Sequence, residues 1–314
     1  MRYARRLIAA VLALAVLDQF VPGVLARAEY RRYEGTAAFR FHDSDLFGLG
    51  PFVSYLRDHP HGDRPRTVFL GNSVLFGLDL SASDAVPGQF QQRHPGTQVF
   101  NAAINGLDLG SNYLIAKAII ESVDAIYVMR GSAAVHPLVP QLIPVDFEKD
   151  GPAFHLQPPD GVETRLQSLA SVWHLYDSSY RLQAALFGTA TRQFLHLLVR
   201  PQVAMPHASG DGAVVVARSR AAAAPADARR QDLRTQDETL WTLAELVASR
   251  RKRAVILQIG QPAPGALGEP AIAEFNAAFA PFVEIVTLTI PPSLTFDGHH
   301  VTAKGARALA EALP

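Results

Sequence analysis

Short apolar segments alternate with helical patterns along most of the chain, and this alternation constrains the fold more than any other feature. Five segments rich in β-branched, aromatic and aliphatic residues predict buried strands, at residues 66–70, 97–101, 125–129, 254–259 and 283–288. Helical patterns are found at residues 51–58, 86–94, 110–122, 240–249, 271–280 and 301–313. Apolar strands that alternate with helices favour a parallel sheet covered on both faces. The sequence therefore predicts an α/β fold built on a five-stranded parallel sheet.

Composition excludes several classes of protein. The chain has 314 residues, of which 48% are hydrophobic, so a large core is expected and global disorder is not. Basic and acidic residues balance at 29 each, and no aromatic-basic stripe is present, so nucleic acid is not an expected partner. The chain has no cysteine, which excludes disulfides, thiolate zinc sites and a cysteine nucleophile.

The N-terminus predicts attachment to a membrane. Arg2, Arg5 and Arg6 precede an apolar stretch that runs, with a polar interruption at residues 18–19, to residue 26. About 20 apolar residues are enough to span a bilayer as a helix, and the positive cluster places the N-terminal side in the cytoplasm. We therefore expect a cytoplasmic tail (1–6), a signal anchor in the inner membrane (7–26) and a periplasmic or other extracytoplasmic domain. A cleaved signal peptide ending at Val24-Leu25-Ala26 is the alternative.

Two long segments interrupt the alternation. Residues 27–64 are polar and mixed, which is typical of a juxtamembrane linker. Residues 131–235 separate the third and fourth strands and predict an insertion on an α/β domain that covers residues 65–314. Within the insertion, helical patterns are found at residues 166–200, and residues 206–231 are typical of a flexible surface loop.

Ser73 lies where the first predicted strand ends, in the segment Gly71-Asn72-Ser73. Ligands of open α/β sheets bind at the carboxyl ends of the strands, so a serine at this position is a candidate nucleophile. Gly71 allows a tight turn, and the residues that follow Ser73 can present backbone N–H groups to an oxyanion. Taken alone, the segment is more typical of an ordinary strand-to-helix turn with serine as the N-cap.

Asn105 and Gly106 follow the second predicted strand, in the segment Asn101-Ala102-Ala103-Ile104-Asn105-Gly106. The backbone N–H of Gly106 and the side-chain amide of Asn105 are candidate donors to a bound acyl group. The alternative is a loop in which Asn and Gly serve backbone geometry only.

Asp297 and His300 lie three residues apart before the last helical pattern, in Asp297-Gly298-His299-His300. A carboxylate that binds one imidazole nitrogen leaves the other free to take a proton from a serine hydroxyl. The alternative is a capping aspartate beside a surface histidine.

The three motifs together resemble the SGNH/GDSL hydrolase superfamily. They are GNSVLFG (71–77), NAAINGLDL (101–109) and DGHHVTAKG (297–305), and the resemblance covers about residues 66–133 and 250–314. It implies a flavodoxin-like three-layer α/β/α fold and a Ser73–His300–Asp297 triad without metal or cofactor. It selects His300 over His299, and it implies an oxyanion hole that includes the N–H groups of Ser73 and Gly106.

The chain departs from the family pattern at two places. Asn72 stands where the family has Asp, and the Gly-x-Asn-Asp block expected after the third strand is absent, since this stretch reads Val128-Met129-Arg130-Gly131-Ser132. Arg130, Ser132 or Asn105 is a candidate for the missing oxyanion donor.

This divergence, with an N-terminal anchor, resembles the membrane-tethered branch associated with acylation of cell-surface polymers. The branch implies an acyl-esterase or O-acyltransferase, most simply for O-acetyl groups, that acts on a surface or exported glycan beside a multi-spanning membrane acyltransferase. The alternatives are a degenerate domain that serves as an assembly subunit of such a complex, and a soluble secreted esterase.

Two further motifs have plain structural interpretations. His59-Pro60-His61 is interpreted as a solvated loop rather than a metal site. Trp173, His174 and Tyr176 are interpreted as core of the insertion rather than as an acceptor groove.

Overall fold

The computed structural model describes residues 6–18, 20, 39–41, 46–59, 62–154, 156, 213–218, 227–259 and 267–314. The chain divides into two compact units, one of residues 1–35 and 157–204 and the other of residues 36–156 and 205–314. In the first unit, residues 6–18 are helical and their large apolar side chains are exposed. None of the helices in the described ranges has the length and apolarity needed to cross a membrane. Residues 19 and 21–26 of the predicted anchor lie outside those ranges, as do the helical patterns at 166–200 with Trp173, His174 and Tyr176.

The second unit contains a mostly parallel sheet. In the described part of the chain the sheet has seven strands, in the order β1-β3-β2-β4-β6-β7-β5, and only β5 runs antiparallel to its neighbour. The strands are β1 (Phe39–Arg40), β2 (Arg66–Leu70), β3 (Gln98–Asn101), β4 (Ala125–Met129), β5 (Val215–Arg218), β6 (Arg253–Ile259) and β7 (Val283–Thr289). The five central strands follow the flavodoxin-like order, in which the chain reverses direction across the sheet between β2 and β4.

Helices cover both faces of this sheet. They are α1 (Leu49–Asp58), α2 (Ser73–Phe76), α3 (Val86–Arg93), α4 (Leu109–Ile119), α5 (Val139–Leu142), α6 (Phe147–Phe154), α7 (Asp227–Gln236), α8 (Glu238–Ser249), α9 (Glu269–Phe279) and α10 (Ala303–Ala312). Helices α2, α3 and α10 pack together on one face, and α1, α4, α8 and α9 form the layer on the other. The prediction of an α/β fold with helices on both faces is confirmed.

The core explains why the strand segments are continuously apolar. Successive side chains of a strand point to opposite faces, and here both faces are covered, so Val68, Phe69 and Leu70 are all fully buried. Phe69 and Tyr127 face α2, α3 and α10, and their rings stack with centroids 4.6 Å apart.

The prediction of five strands is wrong, because two short strands extend the edges of the sheet. β1 lies in the segment predicted as a linker, and its two residues are too few to show any periodicity. β5 lies in the segment predicted as a flexible loop, and all four of its residues are exposed, so it lacks the apolar pattern of a buried strand. The loop prediction is also wrong for residues 227–231, which belong to α7.

Candidate active site

Ser73 is held at the carboxyl edge of the sheet, directly after the central strand β2. A side chain at Gly71 would meet Leu75 Cδ1 at 2.8 Å and Met129 Cβ at 2.9 Å, so the chain can pass β4 this closely only with glycine. The side chain of Asn72 caps α2 by accepting a hydrogen bond from the N–H of Val74 at 3.1 Å. Asn72 rather than Ser73 is therefore the N-cap, and the serine hydroxyl is left for another partner.

This cap explains how Asn72 can stand where the hydrolases that the motifs resemble have Asp. Asn and Asp are about equally good N-caps, whereas Ala costs roughly 1 kcal/mol at such a position. We expect Asn72→Asp to leave stability and serine reactivity close to wild type. Asn72→Ala is expected to lower the free energy of unfolding by about 1 kcal/mol. It is also expected to slow the reaction of Ser73 with a fluorophosphonate, a reagent that labels activated serines. Urea unfolding would measure the free energy of unfolding, and the rate of reaction with the fluorophosphonate would measure the reactivity of Ser73. Wild-type values of both in Asn72→Ala would contradict the capping role.

Asp297 and His300 lie in a closed loop before α10. Thr295 and Val301 form an isolated antiparallel bridge, and the N–H of Phe296 donates to the carbonyl of His300 at 3.0 Å. Inside the loop, Asp297 Oδ1 accepts from the backbone N–H groups of His299 at 2.9 Å and His300 at 2.7 Å. The aspartate is thus fixed by the backbone of the histidine that it orients.

A continuous hydrogen-bond chain joins the three predicted triad residues. His300 Nδ1 lies 2.5 Å from Asp297 Oδ2, and His300 Nε2 lies 2.9 Å from Ser73 Oγ. Because a carboxylate can only accept, Nδ1 carries the proton, and Nε2 accepts from the serine hydroxyl. The Phe296 ring stacks on the imidazole with centroids 5.5 Å apart and an interplanar angle of 16°, a contact that no spacing in the sequence indicated. Adjacent His299 is exposed and is not part of this chain of bonds.

The electrostatics of Asp297 favour its ionised form. Partial burial opposes ionisation, but the hydrogen bonds from the His300 ring and from the N–H groups of His300 and His299 outweigh it, so the pKa of Asp297 falls to about 2. Asp297 is therefore a carboxylate at any pH at which the protein is expected to work, and it stabilises positive charge on His300.

This pKa predicts how stability depends on pH. The pKa of Asp297 in the folded protein is below its ordinary value of 3.8, so the carboxylate stabilises the folded state above about pH 4, and this stabilisation is lost as the pH falls to about 2. We expect Asp297→Asn to be less stable than wild type at pH 6, with a difference that shrinks between pH 4 and pH 2. Urea unfolding at several pH values would measure the difference, and one that stays constant down to pH 2 would contradict the assignment.

The loop that carries Asn105 and Gly106 is attached to the Ser73 turn through its backbone. The N–H of Ile104 donates to the carbonyl of Gly71 at 3.0 Å, and the N–H of Leu107 donates to the carbonyl of Ile104 at 3.2 Å. Gly106 closes this turn with a φ of +81°, a conformation that favours glycine. Gly106 and Asn105 are both exposed. Among the described residues, none accepts a hydrogen bond from the N–H of Ser73 or of Gly106. The use of these groups as oxyanion donors stays a prediction.

Arg130 lies in a different environment. Its guanidinium donates to Gln258 Oε1 at 2.7 Å and to Asp237 Oδ2 at 2.9 Å, and its side chain is 9% exposed. Asp237 is the N-cap of α8, which lies on the face opposite α2. These contacts hold the side chain of Arg130 against α8 and β6. Met129 packs against the core on the face that carries Ser73, and Arg130, the next residue, points to the opposite face. Ser132, the other candidate, donates to Asp108 Oδ2 at 2.8 Å.

Two polar residues near Ser73 were missed in the sequence. Asn101, fully buried at the end of β3, donates to the carbonyls of Leu75 at 3.0 Å and Phe76 at 3.3 Å. Arg40, at the end of β1, donates to carbonyls of the same turn. A polar residue that ends an apolar strand, as Asn101 does, is a signal that could have drawn attention to the first of them.

The predicted solvated loop at His59-Pro60-His61 is described only at His59. The His59 ring stacks on Tyr55 with centroids 4.7 Å apart, and its Nδ1 lies 3.1 Å from the Tyr55 carbonyl. Residues 60 and 61 lie outside the described ranges. Within those ranges, no group of three or more His, Asp or Glu side chains is placed to hold a metal ion.

Comparisons with known proteins add little to this geometry. No family model matches the chain, and no curated protein matches it. A solved structure titled "Crystal Structure of TesA" overlaps with a TM-score of 0.36 and 13% identity, covering 79% of this chain and 94% of that chain. An overlap of this size supports no argument about function. In the arrangement described above, a serine hydroxyl, an imidazole and a carboxylate form the relay needed to activate a nucleophile.

Proposed function

We propose that the chain is a membrane-anchored, extracytoplasmic serine acyl-esterase or O-acyltransferase of the SGNH type that acts on a cell-surface or exported glycan. The observation that carries this proposal is the hydrogen-bond chain from Ser73 Oγ through His300 to Asp297 Oδ2. Ser73 lies 227 residues from His300 in the sequence, and their polar atoms meet with the polarity required for proton transfer from the hydroxyl to the imidazole.

The reaction follows from the positions of these atoms. Ser73 Oγ attacks the acyl carbonyl while His300 Nε2 takes its proton, and Asp297 stabilises the imidazolium. The N–H groups of Ser73 and Gly106 are the proposed donors to the oxyanion. His300 then returns the proton to the leaving oxygen, so an acyl-Ser73 ester remains. Water that attacks the carbonyl of this ester releases a free acid, whereas a sugar hydroxyl that attacks it becomes acylated. In both cases His300 takes the proton of the attacking hydroxyl and returns it to Ser73 Oγ as the ester bond breaks.

The exposure of the triad supports a large polar substrate. The side chains of His300 and Asp297 are 23% and 27% exposed, so the relay lies close to the surface rather than at the bottom of a deep pocket. A glycan segment can reach such a site without being released from its polymer. Attachment through residues 7–26, with Arg2, Arg5 and Arg6 on the cytoplasmic side, would hold the enzyme at the membrane beside a multi-spanning acyltransferase that supplies acyl groups.

The alternative of a degenerate assembly subunit predicts that Ser73 and His300 are too far apart to bond. The separation of 2.9 Å does not meet that expectation.

Labelling with a fluorophosphonate tests the proposal. The full chain in detergent is expected to gain one adduct by intact mass, because phosphonates react with serines that a neighbouring base activates. Peptide mapping should place the adduct on Ser73. A chain that takes up no label, alone or in native membranes, would overturn the proposal and favour the assembly subunit.

A further inference from the structure

The turn that follows Ser73 presents several backbone carbonyls to one side chain. Arg40 Nη1 lies 3.2 Å from the carbonyl oxygen of Phe76, 3.0 Å from that of Gly77 and 2.8 Å from that of Leu80. The guanidinium carbon also lies 4.7 Å from the centroid of the Phe76 ring. The last carbonyls of a helix have no partner within the helix, and charged donors make the stronger hydrogen bonds to them. Arg40 thus binds the end of α2 and the turn after it.

Arg40 reaches this turn because of the register of the sheet. β1 pairs with β3 in parallel, and Arg40 is the direct partner of Asn101. Asn101 donates to the carbonyls of Leu75 and Phe76, so the two cross-strand partners bind consecutive carbonyls at the end of α2 and in the turn after it. β1 has only two residues, and the other, Phe39, is buried among aromatic rings that include Phe52 at 5.9 Å. Phe39 fixes the strand in the core, and Arg40 uses that fixed position to bind the turn.

The bound turn is connected directly to the nucleophile. The N–H groups of Gly77 and Leu78 both donate to the carbonyl of Ser73, at 3.1 and 3.2 Å. The backbone of Ser73 is therefore part of the hydrogen-bonded unit whose far end Arg40 holds. With only four residues, α2 has little stability of its own, because short helices depend on tertiary contacts.

We propose that Arg40 is a positioning residue that fixes the Ser73 turn so that Ser73 Oγ stays within hydrogen-bond distance of His300 Nε2. The expected effect of Arg40 on the reactivity of Ser73 rests on the proposed function. The expected effect of Arg40 on the stability of the turn does not. Displacing a reacting group by about 1 Å can slow a reaction by about 100-fold. Arg40 touches neither the reacting atoms nor the triad side chains, so its effect is on the position of the serine.

The first test compares labelling rates of full-length variants with fluorophosphonate. We expect Arg40→Ala to lower the second-order rate constant of labelling by about 10- to 100-fold. Arg40→Lys should fall between this variant and wild type, because an ammonium group donates but lacks the planar fork that stacks on Phe76. Adding guanidinium ion at concentrations far below those that denature should restore part of the rate in Arg40→Ala. Arg57→Ala is the matched control, since Arg57 is 63% exposed and forms an ion pair with neighbouring Asp58. This variant should label at the wild-type rate with or without guanidinium.

The second test is amide hydrogen exchange at Gly77 and Leu78, which needs no catalytic activity. Arg40→Ala should accelerate exchange at these two amides by at least about tenfold relative to amides of β4 and β6 in the same protein. If wild-type protein takes no label but this acceleration is found, the proposed function fails and the positioning of the turn stands. If exchange in Arg40→Ala matches wild type, the role of Arg40 is overturned, whatever the fate of the proposed function. If wild type takes the label but guanidinium restores no labelling in Arg40→Ala, the role of Arg40 is likewise overturned. A variant that fails to fold would accelerate exchange throughout the sheet, and Arg40→Lys would then supply the comparison.

Discussion

Replacement of Ser73 by alanine is expected to abolish fluorophosphonate labelling and to lower turnover of acyl esters by a factor on the order of 10⁴ or more. The hydroxyl oxygen is the only heavy atom removed, and without it the proposed acyl-enzyme cannot form. The fold should be unaffected, because Asn72 rather than Ser73 caps α2 and the backbone bonds to the Ser73 carbonyl do not involve the side chain. Intact mass, an acyl-ester assay and urea unfolding would measure the three quantities.

Ser249→Ala is the matched control for this variant. The Ser249 hydroxyl is exposed and donates to the carbonyl of Leu246 at 2.8 Å at the end of α8. Its loss is expected to leave labelling and turnover at wild-type levels. Retention of turnover in Ser73→Ala would refute the serine mechanism, even if labelling were lost.

His300→Gln is expected to reduce labelling and turnover about as severely as Ser73→Ala. An amide cannot take the proton from Ser73 Oγ, so the hydroxyl stays a weak nucleophile. Residues that act as one unit are strongly non-additive, so the double variant with Ser73→Ala should be no slower than either single variant. Steady-state rates of the two single variants and the double variant would show this.

His299→Gln provides an unusually close control for His300→Gln. The two histidines are adjacent, but the His299 side chain is exposed, and its bond to Asp297 uses the backbone N–H, which glutamine retains. This variant should keep wild-type activity. If His299→Gln abolished activity and His300→Gln did not, the register of the triad would be wrong.

The sequence predicted the central strands well because their signal is local. β2 and β4 have the predicted bounds, and β3, β6 and β7 differ by a single residue at one end. Each is a short apolar run that is buried on both faces, which is the pattern that single-sequence reasoning detects best. The edge strands β1 and β5 carry no such pattern. They form because a neighbouring strand offers unpaired backbone groups, and this depends on what lies beside them in the folded chain.

The contacts of polar side chains were harder to predict than the strands. Arg130 follows β4, as a candidate oxyanion donor should, but a position in the sequence does not say which face of the sheet a side chain occupies. The structure turns it towards Asp237 and Gln258, 107 and 128 residues away in the chain. Arg40 lies in the segment predicted as a linker, because nothing around it indicates a strand, and its proposed role depends on the pairing of β1 with β3.

Spacing along the chain was enough to identify Ser73, Asp297 and His300 as candidates, since a serine after a strand and an Asp-x-x-His before a helix are local patterns. Local geometry also explains why Asp297 holds His300, because the loop between them is closed by its own hydrogen bonds. The meeting of His300 with Ser73 is different in kind, because 227 residues separate them. It requires parallel strands, which place the carboxyl ends of β2 and β7 on the same side of the sheet. It also requires α10 to pack beside α3, on the face of the sheet that carries Ser73. Those are properties of the assembled core, in which distant apolar surfaces are buried together, and no short stretch of sequence contains them.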